Sequence, residues 1–258
     1  MLFQLNGSEK VRIDSSGRLL VGSTSSRIAG DVSAQLQVEG TSYHTSSLAL
    51  IANSGASAGN NSHITLAKSR GSSDGSNTIL ADGDSIGIIQ WAASDGTDLN
   101  CVTANIRARV NGTPGSNDMP GSLEFGTTAD GAVAPTERLR INSSGQISIG
   151  NNPTVAADAA LHIELDGTKE YLRLEGDGGT SNAYIELEAP NNRRKAIIFK
   201  SGGTRRGVIG VGDSDESSAT SLFFSASTNI GGNSPHMVID SSGKVGIGEG
   251  TPTSLLHL

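Results

Sequence analysis

Apolar and polar residues alternate along this chain in short runs, with glycine-closed turns between them. Arg138-Leu139-Arg140-Ile141 alternates before one such turn and Gln146-Ile147-Ser148-Ile149 after it. Period-two alternation marks a half-buried strand, and two such runs across a glycine-closed turn mark a hairpin. The arrangement occurs three times. Ile13 to Gly22 reads IDSSGRLLVG, Ile141 to Gly150 reads INSSGQISIG, and Ile239 to Gly248 reads IDSSGKVGIG. The central glycines stand 128 and 98 residues apart, which is too irregular for a short-period solenoid or propeller. A small module set between larger insertions fits better.

The turn has a chemical reading. Asp14, Asn142 and Asp240 can fold their side chains onto the backbone two residues on, and Gly17, Gly145 and Gly243 can take the positive φ that closes the turn. These six are the candidate site residues, as structural turns of the repeat. A lone hairpin is marginal in water, so each must pack on neighbouring strands or chains. A turn and a further strand follow each copy: Leu36 to Glu39, Ala160 to Ile163, and Leu255 to Leu258. The unit is thus about 25 residues long, and the chain reads as an excerpt of a longer polypeptide, because it stops within such a strand.

Between the repeats, further strands are expected at Ser62 to Ala67, Ile86 to Trp91, Ile106 to Val110, Ser122 to Phe125, Tyr171 to Glu175, Ala183 to Glu188, Lys195 to Lys200 and Ser221 to Ser225. Val155 to Ala160 allows one helical turn. The expected fold class is all-β. Hairpin collars are expected at residues 1–40, 137–165 and 237–258, with larger, sandwich-like β modules at 41–136 and 166–236.

Composition changes this picture in one respect. Hydrophobic residues are 35% of the chain, aromatics 3%, and 34 of the 258 residues are glycine. Large side chains dominate core burial, so a chain this poor in them builds slim cores or shares them with a partner. An elongated, intertwined homotrimer meets that need and also covers exposed strand edges. A net charge of −7 argues against nucleic acid, which needs a clustered basic surface. The runs Arg193-Arg194-Lys195 and Arg205-Arg206 read as solvated strand ends. No stretch approaches the ~18 apolar residues of a transmembrane helix, and no signal peptide is visible in Met1 to Lys10.

Candidate chemistry is sparse. Cys101, the single cysteine, reads as a buried and inert thiol, far in sequence from any histidine. Carboxylates cluster at Asp82/Asp84, Asp95/Asp98 and Asp213/Asp215/Glu216, in Gly- and Ser-rich turns where Asp is favoured. Calcium at Asp82-Gly83-Asp84 lacks the EF-hand spacing. Glycan cleavage would need two acids held about 5–9 Å apart in a cleft. His44, His63, His162, His236 and His257 lack metal-ligand spacing, although His162 and His257 hold equivalent repeat positions and could meet at a trimer axis. Gly207 to Gly212 reads as a β segment rather than a dinucleotide loop. No enzyme, cofactor or metal is expected. A glycan-binding surface would draw on Tyr43, Trp91 and Tyr184.

The stretch from Ile64 to Gly150, with ITLAKSRG, DGDSIGIIQWAASDGTD, NGTPGSNDMPGSLEFGTTADG and TERLRINSSG, resembles the shafts of phage tail fibres, especially those of marine and cyanobacterial phages. The motif PHMVIDSSGKVGIGEGTPTSLLHL within 233–258 is similar to units that precede another shaft unit or a self-cleaving chaperone domain. The resemblance implies a homotrimeric virion component, made in the host cytoplasm, that links tail to receptor-binding tip. Its partners would be itself, other tail or fibre proteins and a host-surface glycan, with no membrane insertion. A glycan-binding adhesin module and a virion decoration protein are the alternatives.

Overall fold

A computed structural model describes residues 1–53, 55, 59, 61–153, 159–164, 185–188, 195–201, 203–211, 221–226 and 236–258. The chain divides into two compact units, residues 1–171 and 172–258. Among the described residues every regular element is a strand, so the fold is all-β.

The first unit holds two sheets. One takes β1 (Leu2–Leu5), β2 (Ser8–Ile13), β3 (Leu19–Val21) and β4 (Leu36–Val38) in chain order. Its first three strands are antiparallel neighbours, and β4 returns parallel to β3. The other takes β5 (Ser85–Ala93), β6 (Cys101–Val110), β7 (Gly121–Thr127), β8 (Thr136–Ile141), β9 (Ile147–Ile149) and β10 (Leu161–Ile163), again in chain order and again ending on a parallel pair. The second unit repeats this plan in β11 (Lys195–Ser201), β12 (Thr204–Val211), β13 (Leu222–Ser225), β14 (Met237–Ile239), β15 (Val245–Ile247) and β16 (Leu256–His257). None of the three sheets closes into a barrel.

The parallel ending has a structural consequence. Two parallel strands cannot be joined by a tight turn, so the chain must cross one face of the sheet to come back. Pro153 and Pro252, which follow β9 and β15, are buried. At Gly246 the crossing loop passes so close that an added Cβ would lie 2.2 Å from the Glu249 carbonyl oxygen. Under these loops sit Leu20 and Ser148, both 0% exposed, and on the strand beside Gly246 so does Val238. Leu20, Ser148 and Val238 are thus buried on the loop side, whereas Val110, buried at the end of β6, lies on the side of Ile106.

Of the strands expected between the repeats, 86–91, 106–110, 122–125 and 195–200 fall in β5, β6, β7 and β11, and 221–225 gives β13 from Leu222 onward. Ser62 to Ala67 is a correction, since that segment pairs with no strand among the described residues. Its alternation satisfies the pattern, but a strand also needs a partner edge. Within 183–188 the described residues 185–188 are likewise unpaired. Tyr171 to Glu175 lies outside the described residues, as does the allowed helical turn at Val155 to Ala160 apart from its last two residues. A second sheet does not cover the β5–β10 sheet, so the sandwich-like packing expected of the larger module is not formed among the described residues of this unit. Ile89, Trp91, Leu161 and Ile163 remain exposed on its face.

Candidate functional site

The three repeats fold alike down to single hydrogen bonds. In the first, the Asp14 carboxylate oxygen Oδ1 accepts the backbone N–H of Ser16 at 2.8 Å and of Arg18 at 3.0 Å. Asn142 accepts from Ser144 and Gln146 at 3.0 and 2.9 Å, and Asp240 from Ser242 and Lys244 at 2.8 and 2.9 Å. Gly17, Gly145 and Gly243 each donate a backbone N–H to the residue three earlier and stand at φ 77°, 77° and 78°. Space is not what selects glycine here, because an added Cβ would meet nothing within 4 Å at any of the three. The left-handed φ is the constraint. The backbone hydrogen bonds hold the Asp14 carboxyl below the usual carboxylate range, with the Arg18 N–H the largest influence.

The register then sorts the side chains. Val11, Val21 and Val38 lie in one row, and Ile13, Leu19 and Leu36 in the next. The matching rows are Leu139–Ile149–Ile163 and Ile141–Ile147–Leu161 in the second repeat. In the third they are Met237–Ile247 and Ile239–Val245–Leu256. All of these point away from the crossing loop. The last residue of each second row is about half exposed: Leu36 53%, Leu161 55% and Leu256 57%. On the loop side Leu20, Ser148 and Gly246 are buried and Gln37, His162 and His257 half-buried. One face of each repeat is thus finished within the chain and the other is left apolar and open.

In the β5–β10 sheet the open face runs across all six strands. Ile89, Ile106, Phe125, Leu139, Ile149 and Ile163 form a continuous row, with Leu123 and Ile141 in the row beside it. Leu66 touches this face at Gly87. The β11–β16 sheet carries the equivalent row Ile197, Ile209, Phe224, Met237 and Ile247.

A further shared feature is a Glu-x-x-Arg pair before the turn. Arg12 binds the Glu9 carboxylate through Nε and Nη2 at 2.6 and 2.8 Å, and Arg140 binds Glu137 at 2.7 and 2.6 Å. Three residues apart on a regular strand, the two side chains would point to opposite faces. A β-bulge at Lys10 and another at Arg138 insert one residue and bring them together. The bulged residue's carbonyl in turn accepts the N–H of Gly22 or Gly150, each at 3.0 Å. Sequence reasoning missed this pair; the recurrence of Glu-x-x-Arg five residues before the central glycine was the available signal.

The other candidates are dispersed. Among the described residues the one ring–ring contact is Tyr43 with His44, and Trp91 stands alone in β5. Tyr184 and the cluster Asp213/Asp215/Glu216 lie outside the described residues. Asp84 is held by the Arg70 guanidinium at 2.6 and 3.1 Å and by the Ala81 N–H, which set its carboxyl well below the usual range. Asp95 caps its own turn through the Thr97 and Asp98 N–H groups. Among the described residues no group of three or more His, Cys, Asp or Glu could hold a metal. Cys101 is a correction: it opens β6 and is exposed rather than buried. Desolvation, and then the neighbouring Asp95 and Asp98 carboxylates, raise its thiol above the ordinary pKa.

No family model and no curated protein sequence matches the chain. Solved structures do. The carboxy-terminal domain of the bacteriophage T5 L-shaped tail fibre superposes with a TM-score of 0.57 at 11% identity, over 81% of this chain and 90% of that one. The chain has a phage tail-fibre fold. The same T5 domain together with its intra-molecular chaperone domain matches with a TM-score of 0.51 at 14% identity, over 81% of this chain and 62% of that one. The tail-fibre fold agrees with the resemblance drawn from the repeat motifs, although so few identical residues carry the fold alone.

Proposed function

We propose that the chain is a structural segment of a phage tail fibre, assembled as an elongated, intertwined homotrimer whose shaft links the tail to the host-recognition tip. The single observation that carries this reading is the open apolar face, repeated in all three sheets, while on the other side of each repeat the middle residue of β3, β9 or β15 (Leu20, Ser148 or Gly246) is buried within the chain. A row of six large apolar side chains, with Ile89, Ile149 and Ile163 exposed and Ile106, Phe125 and Leu139 half-buried, opposes folding, and completing the burial of each would contribute up to about 1.5–3 kcal/mol. Three copies related by an axis can turn these faces inward and pool the core that each lacks. The alternating segment at 62–67, unpaired among the described residues, fits the same scheme, because another copy can supply its strand partner.

On this reading the units at 1–40, 137–165 and 237–258 are collars, and the stretches at 41–136 and 166–236 are the wider modules between them. The role is mechanical and non-enzymatic, the place is the virion, and the other partners are neighbouring tail or fibre proteins. The fold similarity supports a tail-fibre role, and the open faces favour a shaft over a self-contained adhesin or decoration protein. Light scattering with small-angle X-ray scattering tests it. A rod of about 79 kDa, three times the chain mass of 26.3 kDa, is expected; a monodisperse monomer at high concentration would overturn the reading.

A further inference from the structure

The face of the β5–β10 sheet opposite the apolar rows carries a cavity of about 360 Å³ whose charges are unevenly matched. Arg107 lies directly across from Glu124 in the register of β6 and β7. Opposite charges so placed normally pair. Here the Glu124 carboxylate turns instead to Arg109, at 2.9 Å, and to Arg140, at 3.4 Å. Both oxygens of Glu137 hold Arg140 further, and the Gly83 carbonyl accepts from Arg109 at 2.8 Å. The two carboxylates are thereby engaged elsewhere. Arg107 makes no hydrogen bond or ion pair among the described residues, and its Nε is enclosed without a partner.

The uncommitted side chains around the cavity are donors. Asn105 shares a face of β6 with Arg107, Thr136 opens β8 and Asn152 follows β9. None of the three makes a side-chain hydrogen bond among the described residues. Each asparagine can offer an amide N–H and the threonine its hydroxyl. Three guanidinium groups and two carboxylates leave one positive charge in excess, within a chain of net charge −7. Water alone leaves that charge uncompensated, whereas an oxyanion brings acceptors and the opposite charge together. A carboxylate presents two oxygens in one plane, but these donors come from two strands and a loop. A tetrahedral oxyanion presents oxygens in four directions, one pair of which suits the terminal nitrogens of a guanidinium. Waters in the remaining space can bridge the anion to the more distant donors.

We infer that this groove is a binding site for a tetrahedral oxyanion of the phosphate or sulfate class, with Arg107 as the charged anchor and Asn105, Thr136 and Asn152 as the neutral donors around it. The network of Arg109, Glu124, Arg140 and Glu137 walls the site and keeps its own carboxylates from neutralising Arg107. The site is independent of the shaft role, because it lies on the face away from the apolar rows.

The test uses the full chain in its native assembly, titrated calorimetrically with inorganic phosphate and, at the same ionic strength, with acetate. Phosphate binding roughly tenfold or more tighter than acetate binding is expected, the gain of a further charge-assisted hydrogen bond. Phosphate should also raise the melting temperature, because it binds the folded chain and not the unfolded one. Arg107→Gln should abolish both effects, while Arg206→Gln, at an exposed site in β12, should leave them unchanged. Should Arg107→Gln not fold, Arg107→Lys carries the test: it keeps the charge but loses the paired donors, and it should still weaken phosphate binding. Absence of phosphate binding by the wild type overturns the inference, and so does phosphate binding indifferent to substitution of Arg107. Acetate bound as tightly as phosphate would overturn the tetrahedral assignment. A lowered melting temperature of Arg107→Gln with no phosphate binding by the wild type would put a carboxylate of another copy on Arg107, and would also overturn it.

Discussion

Substitution of Gly145 isolates backbone conformation from packing, because the structure separates the two. The residue sits at φ 77°, and a Cβ built there would meet nothing within 4 Å. Gly145→Ala therefore creates no clash, and its whole cost is that of placing an L-residue in the left-handed region, about 1–2 kcal/mol. Asn tolerates that region better than Ala, so Gly145→Asn should cost less. Gly150, five residues on, is the opposite case. Its added Cβ would lie 2.5 Å from the Glu164 carbonyl oxygen, a backbone atom with little room to yield. Gly150→Ala should push β10 from β9, weaken the 2.7 Å bond from the Glu164 N–H to the Ile149 carbonyl, and cost about 1–3 kcal/mol as an overpacking defect. For a unit of this size each kcal/mol moves the melting temperature by roughly 2–4 °C. Calorimetry of the full chain reads this, provided the two units melt as separable transitions, and the Gly145 and Gly150 variants should shift only the transition of residues 1–171. The ranking at Gly145, with glycine best, asparagine next and alanine worst, should recur at Gly17 and Gly243. Alanine as stable as glycine at all three positions, or asparagine worse than alanine, would refute the turn account.

Three other outcomes are expected. Phe125→Asp, at the centre of the six-strand apolar row, should shift the assembly toward lower mass in sedimentation velocity while the chain's β circular dichroism persists; unchanged mass would mean that this face is not the interface. Because Asp84 and Asp14 are depressed carboxylates, their contribution is complete above the ordinary carboxylate pKa near 3.8 and is lost as pH falls further. The melting temperature should accordingly be flat above about pH 5 and fall in acid, with a shallower fall in Asp84→Asn, and an equal slope in that variant would count against the Arg70–Asp84 contact. Cys101, exposed but held protonated by its acidic neighbours, should react with a thiol reagent in the native state more slowly than free cysteine, and Asp95→Asn should speed the reaction; complete protection would place another copy over the end of β6.

Much of this protein is legible in its residues because much of its structure is local. The Asp or Asn that opens each turn and the glycine that closes it act on atoms within four residues, so the chemistry of Asp14 and Gly17 can be read without knowing what surrounds them. The period-two pattern likewise gives away β5, β6 and β7, whose long apolar alternation has no other use. Cys101 shows the limit of that reasoning, since an apolar-leaning stretch predicts burial while the side chain stands at a strand end beside Asp95.

Relations between distant residues belong to the tertiary structure alone. Ser62 to Ala67 has the alternation of a strand but no edge to join among the described residues, because a strand is defined by its partner and not by its own pattern. Glu137 and Arg140 become a pair only when the bulge at Arg138 rotates one of them by half a turn, and only the recurrence of Glu-x-x-Arg in two repeats hints at it. Which face of each hairpin closes depends on the side that the returning loop crosses, which leaves Leu161 half exposed and Ser148 enclosed. The pattern of residues determined that this chain would make sheets with one apolar face. The path of the loops between them decided which face stays open, because only a folded chain has a side on which to cross.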